Sequence, residues 1–529
     1  MSHQVRGADA PAGAGGNPVT GPGGISEKGL AKGTVGVLGA LVIGLSVCAP
    51  AYTLTASVGP AASEVGLQTP AIFFAGFIPM FLVALGYRAL NQAMPDSGTT
   101  FTWASRAFGP WIGWMGGWGL IAATVLVLSN LAGIAVEFLY LALSIATGDP
   151  AIAELSNNVW INILTCLAFM AVATWICYRG MASTKTFQYI TVSFQMAVLV
   201  WFIAALFIGA ADRANTEALT VSPEWFNPLA VDSFSAFAAG IAVSIFVYWG
   251  WDTILTMGEE TKKSKGPIST EAKAATILVV LLVVLYVTLA AACVAYAGVG
   301  EGPTGLGNPA IADNVFAALA HPVMGPGAIF LASAVLLSSV ASIQSTAISP
   351  ARTLLAMAHY RALPASLAAI HPKYKSPHIA LLWSSVVASG FYAVMRILSE
   401  DALWDTILSL GIMVCFYYGI TALSSLAYFR TTARHSLRDA LAKLVLPGLG
   451  GVLLFVTLIQ TTVDSMDPAF GSGASIGGLG LVFVLGVAVL LCGVAIMLVQ
   501  ARRRPEFFRG EVIRPGTDGD EAPAEVFTA

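Results

Sequence analysis

Ser244-Ile-Phe246-Val-Tyr248-Trp249-Gly250-Trp251-Asp252-Thr253, running on to Gly258-Glu-Glu260-Thr-Lys262-Lys263, is apolar and long enough to cross a membrane, yet an aromatic, glycine and acid interruption sits at its centre. An ionised aspartate at bilayer depth costs ~2.5–3.5 kcal/mol on insertion scales, so it needs a partner, a cavity or a ligand. Asp252 precedes Lys262 by ten residues, roughly 15 Å of helix and about half the hydrocarbon thickness. If the lysines mark the surface, Asp252 lies near the midplane, and the segment reads as a solute site inside a membrane.

Composition agrees. The 529-residue chain is 57% hydrophobic and 10% charged, against roughly 25% charged in ordinary soluble domains. Apolar windows predict an all-α polytopic membrane protein with twelve spans, near 35–57, 69–90, 112–146, 159–178, 186–209, 234–258, 274–298, 325–347, 377–397, 403–428, 441–462 and 475–500. Lysine and arginine alternate between loops. Lys28/Lys32, Arg88/Arg106, Arg179/Lys185, Lys262/Lys263/Lys265/Lys273, Arg352/Arg361/Lys373/Lys375, Arg430/Arg434/Arg438/Lys443 and Arg502–Arg504 share one side, whereas the opposite loops are acidic, with only Arg213 and Arg396 among basic residues. The positive-inside rule then predicts cytoplasmic termini and a multi-pass protein of the plasma membrane.

Residues 1–30, rich in Gly, Ala and Pro, read as a disordered cytoplasmic tail, and 501–529 as a second tail, flanking a transmembrane domain at 31–500. All six cysteines fall inside predicted spans, so no disulfide framework is implied. The net charge of −3 carries no nucleic-acid signal. The expected partners are a small-molecule substrate and the lipid bilayer, and no signal of oligomeric state is present.

The first span also breaks. Ser46-Val47-Cys48-Ala49-Pro50 places a proline mid-span, where it removes a backbone donor and clashes with the preceding turn. Spans one and six are five apart, so they run in opposite directions, and paired interruptions in matching places of two halves point to a transporter site. Inverted repeats at about 35–209 and 234–428 follow, with 441–500 supplying two extra helices.

Three segments carry a resemblance. Phe246 to Asp252, with Glu259-Glu260-Thr261-Lys262-Lys263 and Pro267 after it, resembles the sixth-span motif of the amino acid/polyamine/organocation permeases. Ala93-Met94-Pro95-Asp96-Ser97-Gly98-Thr99-Thr100-Phe101 is similar to that family's loop between spans two and three, and Arg352 to Pro377 to its loop after span eight. The resemblance covers roughly 28–500 and implies a LeuT-like inverted-repeat fold of five plus five helices with two more, and secondary active transport of amino acids or related amines. The family's glycine-serine-glycine break in span one is replaced here by Cys48-Ala49-Pro50. Some proton-coupled members carry a lysine in span five where this chain has Gln195, so the resemblance does not extend to that coupling route.

Helix ends supply the chemistry: amides exposed after a break attract anions, and carbonyls before one attract cations. A substrate carboxylate is expected around Ser46, Cys48, Ala49 and Pro50, and an ammonium against the carbonyls around Phe246, Tyr248, Trp249 and Gly250. Phe246 corresponds to the family's gating aromatic; ordinary packing accounts equally for Tyr248, Trp249 and especially Trp251. Asp252 reads either as the N-cap of the second half-helix or as a charge partner for a cationic substrate. Ser338, Ser339 and Ser342 offer hydroxyls to a coupling ion, H+ or Na+, or bond their own helix backbone. Gln195 and Glu137 complete the ion-coupling candidates, Glu137 being equally readable as an interfacial acid.

No metal cluster, clustered nucleophile and base, or cofactor motif emerges, which sets aside a membrane-embedded enzyme. Gly473-Ala-Ser475-Ile-Gly477 fits a nucleophile-elbow pattern only by letter. The expected function is amino acid import by alternating access, with a polyamine or other organic-amine transporter or exchanger as the alternative.

Overall fold

The computed structural model describes residues 35–180, 185–262, 264, 268–312, 314–398 and 402–517, with Lys28 and Gly33 besides. Apart from Lys28, the expected tail at 1–30 lies outside these residues, as do Lys32, Lys263, Lys265, Pro267 and 518–529.

The chain is a polytopic, all-α membrane protein. The first half contains α1 (Val37–Cys48), α2 (Pro50–Thr55), α3 (Val58–Val65), α4 (Thr69–Ala93), α5 (Thr100–Phe108), α6 (Pro110–Thr147), α7 (Val159–Tyr178) and α8 (Lys185–Ala211). Then come α9 (Phe234–Val247), α10 (Thr253–Thr256), α11 (Thr270–Ala297), α12 (Pro309–Ala312), α13 (Val315–Met324), α14 (Ala328–Thr346), α15 (Ile348–His359), α16 (His378–Leu398) and α17 (Ala402–Phe429). The chain ends with α18 (Leu437–Ala440), α19 (Leu446–Asp464), α20 (Leu481–Arg503) and α21 (Pro505–Phe508).

Eleven helical stretches among the described residues are long and apolar enough to cross a membrane, and α9 is a twelfth, shorter apolar piece. The predicted span at 475–500 starts late: Ser475–Ile476 (β1) and Leu479–Gly480 (β2) form a two-stranded hairpin, and the helix begins at Leu481. Glycines at 477 and 478 with positive φ turn that hairpin, a conformation the apolar count cannot see.

Burial orders the helices. The middles of α6 and α17 are almost wholly enclosed, whereas α7, α8 and α20 show most of their apolar surface at the periphery. Trp160, Leu164, Ile190, Val386 and Leu491 belong to that peripheral belt, which suits acyl chains as neighbours. Along the centre, α14 packs on α6 and α8, α17 on α6 and α19, and α4 on α9 and α11, enclosing α1, α2, α9 and α10.

One end of the bundle gathers the basic residues. Val35, just before α1, accepts from the Lys262 amide at 2.8 Å and donates to the Glu260 carbonyl at 3.3 Å, tying the entry of the first span to the exit of the sixth. After α20 the chain folds back over this end. The Phe507 ring stacks on Phe101 with centroids 5.4 Å apart, and Phe508 lies 4.9 Å from Trp111. Val512 and Ile513 are buried, the Arg106 guanidinium donates to the Arg514 carbonyl at 2.5 Å, and the Gly516 amide donates to the Arg106 carbonyl at 2.9 Å.

Candidate functional site

Span one is interrupted at a single residue. Ala49 adopts φ 45, ψ 61, the left-handed region that a non-glycine residue enters at a cost. Pro50 has no N–H, so Ser46 loses its helical donor. Two freed carbonyls are capped by hydroxyls instead: Ser342 of α14 donates to Val47 at 3.0 Å, and Thr53 donates to Cys48 at 2.5 Å. The Ser46 hydroxyl pairs with that of Ser345 at 3.0 Å. On the other side of the break, Ala51 and Tyr52 fall in the first turn of α2, where an amide has no acceptor within its own helix.

Span six is interrupted over five residues, Tyr248 to Asp252, between α9 and α10. Gly250 has φ 100, and a Cβ there would stand 2.7 Å from the Val47 methyl, so glycine is required both by conformation and by the neighbouring break. The two interruptions therefore touch. No backbone amide among the described residues reaches the carbonyls of Val247, Tyr248 or Trp249. Across the pair of breaks, the Phe246 ring meets Tyr52 edge-on with centroids 6.4 Å apart. Beyond it lies an apolar cleft lined by Ala56, Pro60, Ala242, Val243, Phe246, Ile407, Leu408 and Thr461.

Asp252 is 2% exposed. It stands at the N-cap position of α10 but with helical φ −67, ψ −20 and no capping hydrogen bond, so the N-cap reading does not hold. Both carboxylate oxygens turn to α17. Tyr418 donates to Oδ1 at 2.8 Å, and Tyr417 donates to Oδ2 at 3.3 Å while accepting from the Trp249 indole at 2.7 Å. The Gly250 amide reaches the Tyr418 hydroxyl at 3.4 Å. Trp251 packs on Tyr87 and Tyr418 and makes no hydrogen bond through its indole N–H. Tyr248 donates to the Phe73 carbonyl at 2.9 Å.

Tyr417, Tyr418 and Tyr87 were not singled out by sequence reasoning. The available signal was the pair Tyr417-Tyr418 inside an otherwise apolar span, since buried phenols need partners.

The ion-coupling candidates separate into two places. Ser342 faces the first break. Gln195, Ser338 and Ser339 are wholly buried in α8 and α14 without hydrogen-bond partners for their side-chain polar atoms. Gln188, two turns before Gln195, donates to the Ala341 carbonyl at 3.1 Å, and Ser338 lies one turn from Ala341 on the same face, so Gln195 and Ser338 share the α8–α14 seam. Glu137 is elsewhere, towards the end opposite the basic one. It accepts from the Asn314 amide at 3.2 Å, and Asn314 accepts from Thr55 of α2 at 3.0 Å.

A second buried carboxylate, Asp96, closes the basic end. It takes the Lys28 ammonium at 2.6 Å, the Tyr360 hydroxyl at 2.7 Å, the Gly98 amide at 2.7 Å and the Thr102 hydroxyl at 2.8 Å. Burial pushes its pKa up, but Lys28 and these donors outweigh burial and hold it below the ordinary aspartate value. Nearby, Glu260 and Arg352 form a buried ion pair.

A family model described as "Amino acid permease" matches residues 35–482. Among named relatives, the branched-chain amino acid permease BcaP of Bacillus subtilis (strain 168) is 24% identical over 360 residues, 64% of this chain and 70% of the relative. The low-affinity putrescine importer PlaP of Escherichia coli (strain K12) is 21% identical over 437 residues, 82% and 89% of the two chains. An uncharacterized transporter of Mycobacterium tuberculosis (strain ATCC 25618 / H37Rv) is 25% identical over 488 residues, 91% and 95%.

Proposed function

Because the chain belongs to the amino acid permease family, and is thus a transporter of amino acids or amines rather than an enzyme, we propose that it imports an amino acid across the plasma membrane by alternating access. The observation that carries this reading is the contact of two broken spans at Gly250 and Val47. First-turn amides at Ala51 and Tyr52 suit a carboxylate, and free carbonyls at Val247 to Trp249 suit an ammonium, so the two ends of a zwitterion meet complementary helix termini. Ser46, Cys48, Ala49 and Pro50 form the first wall, and Phe246, Tyr248, Trp249, Gly250 and Asp252 the second. Phe246 against Tyr52 closes the side away from the basic end.

The basic end, with Lys28, Arg106, Arg352 and Arg361, is cytoplasmic in this reading, as are both termini. The domain is two inverted repeats, 35–209 and 234–428, with 441–500 outside them. A symported H+ or Na+ drives accumulation. Ser342 and the unpartnered Ser338, Ser339 and Gln195 are the coupling candidates at the centre, and Glu137 is one near the outer end.

Counterflow in proteoliposomes tests the carrier. Unlabelled leucine inside the vesicles should accelerate entry of labelled leucine, and a panel of amino acids should rank the substrates. A channel would show no acceleration from the trans side, and an enzyme would consume the label. An amine such as putrescine is the second reading, favoured by Asp252, a buried acid bonded only to neutral donors. Putrescine outcompeting leucine in the panel would select it.

A further inference from the structure

Between α17 and α18 the chain turns from one span to the next through a corner rich in arginine. Arg430 follows the last residue of α17, Arg434 lies in the short turn Ala433–His435, and Arg438 lies in α18, so the three stand four positions apart. All three side chains are exposed, and none makes a hydrogen bond, an ion pair or a ring contact among the described residues. The acid of the corner is already engaged: Asp439 takes the Lys443 ammonium at 3.5 Å, and that ammonium lies 5.2 Å from the centre of the Phe429 ring. Lys28, Arg352, Arg361 and Arg509, by contrast, each have a carboxylate partner at the same end of the bundle. The corner therefore carries three uncompensated guanidinium charges at the membrane surface.

An apolar ridge begins beside them. Leu437, 79% exposed, leads it, and the exposed side chains of Leu441, Val445, Leu449, Val452 and Val456 follow at intervals of three or four. That spacing keeps them on one face, through the π-turn Leu441–Val445 and on down α19 into the peripheral belt. Ser425 of α17 donates to the Lys443 carbonyl at 2.8 Å, which fixes the π-turn against α17 and holds the ridge and the arginines on one junction. A soluble anion would use the arginines and leave Leu437 in water. A neutral lipid would cover the ridge and leave the arginines without a counter-charge. A molecule with a negative head and an apolar tail satisfies both.

We infer that the corner between α17 and α18 binds an anionic phospholipid, its phosphate against Arg430, Arg434 and Arg438 and an acyl chain along the ridge that starts at Leu437. The bound lipid bridges α17 and α19, so its occupancy stabilises that junction by mass action. The site is indifferent to which solute the protein carries.

Native mass spectrometry of the full chain in detergent, titrated with dioleoyl phosphatidylglycerol or dioleoyl phosphatidylcholine, reads the headgroup preference. Wild type should bind the phosphatidylglycerol more tightly by about tenfold or more, at up to about fivefold per arginine, and the preference should shrink as salt rises. The triple replacement Arg430→Gln, Arg434→Gln, Arg438→Gln should bring the two lipids within about twofold of each other, whereas replacing the same three by lysine should keep most of the preference. Leu437→Gln should weaken both lipids alike. Arg502→Gln, Arg503→Gln, Arg504→Gln, which removes the same charge at the end of α20, should leave the preference unchanged.

Equal binding of the two lipids by wild type would overturn the inference, as would an undiminished preference in the glutamine triple. Loss of the preference in the Arg502–Arg504 variant would make it a property of net charge, and displacement of the bound lipid by glycerol phosphate would make the corner a soluble phosphate site; either result overturns it too. If the glutamine triple does not fold, Arg434→Gln alone carries the test, with a loss of up to about fivefold expected and no loss counting against the site.

Discussion

Asp96 and Asp252 are both buried aspartates beside the end of a membrane helix, but their surroundings are opposite. Asp96 has an ammonium, two hydroxyls and a backbone amide within 2.8 Å; Asp252 has two phenols, one of them at 3.3 Å. A carboxylate given a full set of donors and a cation stays ionised and fastens elements together. One given only neutral donors has no cation fastened to it among the described residues. The first arrangement suits a latch between elements, and the second does not.

The largest effect should come from breaking the latch. Asp96→Ala leaves Lys28 buried without its carboxylate, and should destabilise the protein by about 3–5 kcal/mol, read as a lower melting temperature in detergent. The double replacement Lys28→Met with Asp96→Leu should recover most of that loss; no recovery would mean that Tyr360 and the Gly98 amide, rather than the charge pair, dominate. The latch also sets a pH dependence. Because the folded pKa of Asp96 is lowered, its contribution is fully present above the unfolded value and is lost as pH falls through the folded one, so the excess stability of wild type over Asp96→Asn should begin to fall below about pH 4 and be gone only once pH is below the folded value.

On the other side of the comparison, Gly250→Ala forces a side chain into positive φ and against Val47. It should cost about 1–3 kcal/mol and abolish uptake, with Val47→Ala relieving the clash but not the backbone strain. Asp252→Asn should change the melting temperature little, by less than about 1 kcal/mol, since no cation is orphaned. An unfolded Asp252→Asn protein would mean that the two aspartates are both structural. The smallest effect is expected at Arg361 and Glu506, an exposed pair at 2.7 Å with side chains 47% and 54% accessible, where Arg361→Ala should cost less than about 1 kcal/mol in a thermal melt.

Much of the architecture was legible in the amino-acid sequence because the membrane imposes a length on every apolar run. The breaks at Pro50 and Gly250 were legible for a local reason, one removing a donor and the other permitting positive φ. The hairpin at 475–480 was absorbed into the last span, because hydropathy counts Ile476 and Leu479 without regard to backbone direction.

The partners of Asp252 were not legible. Tyr417 and Tyr418 are separated from it by 165 and 166 positions, and no local pattern encodes which helix a carboxylate will face. Lys28 was read as a topology signal in a tail, although it reaches a carboxylate 68 residues away. Ser342 was identified by its hydroxyl, but the carbonyl that it caps could be named only once the two helices were placed side by side.

The segment after α20 binds α5 through Phe507 and Arg106, and reaches Arg361 just past α15 through Glu506. Those parts of the basic end are riveted into one frame. Any movement at that end must fall on what the frame leaves out: the bridge between Val35 and Thr261 with the tail of the sixth span, held by Lys28 on Asp96 and Glu260 on Arg352.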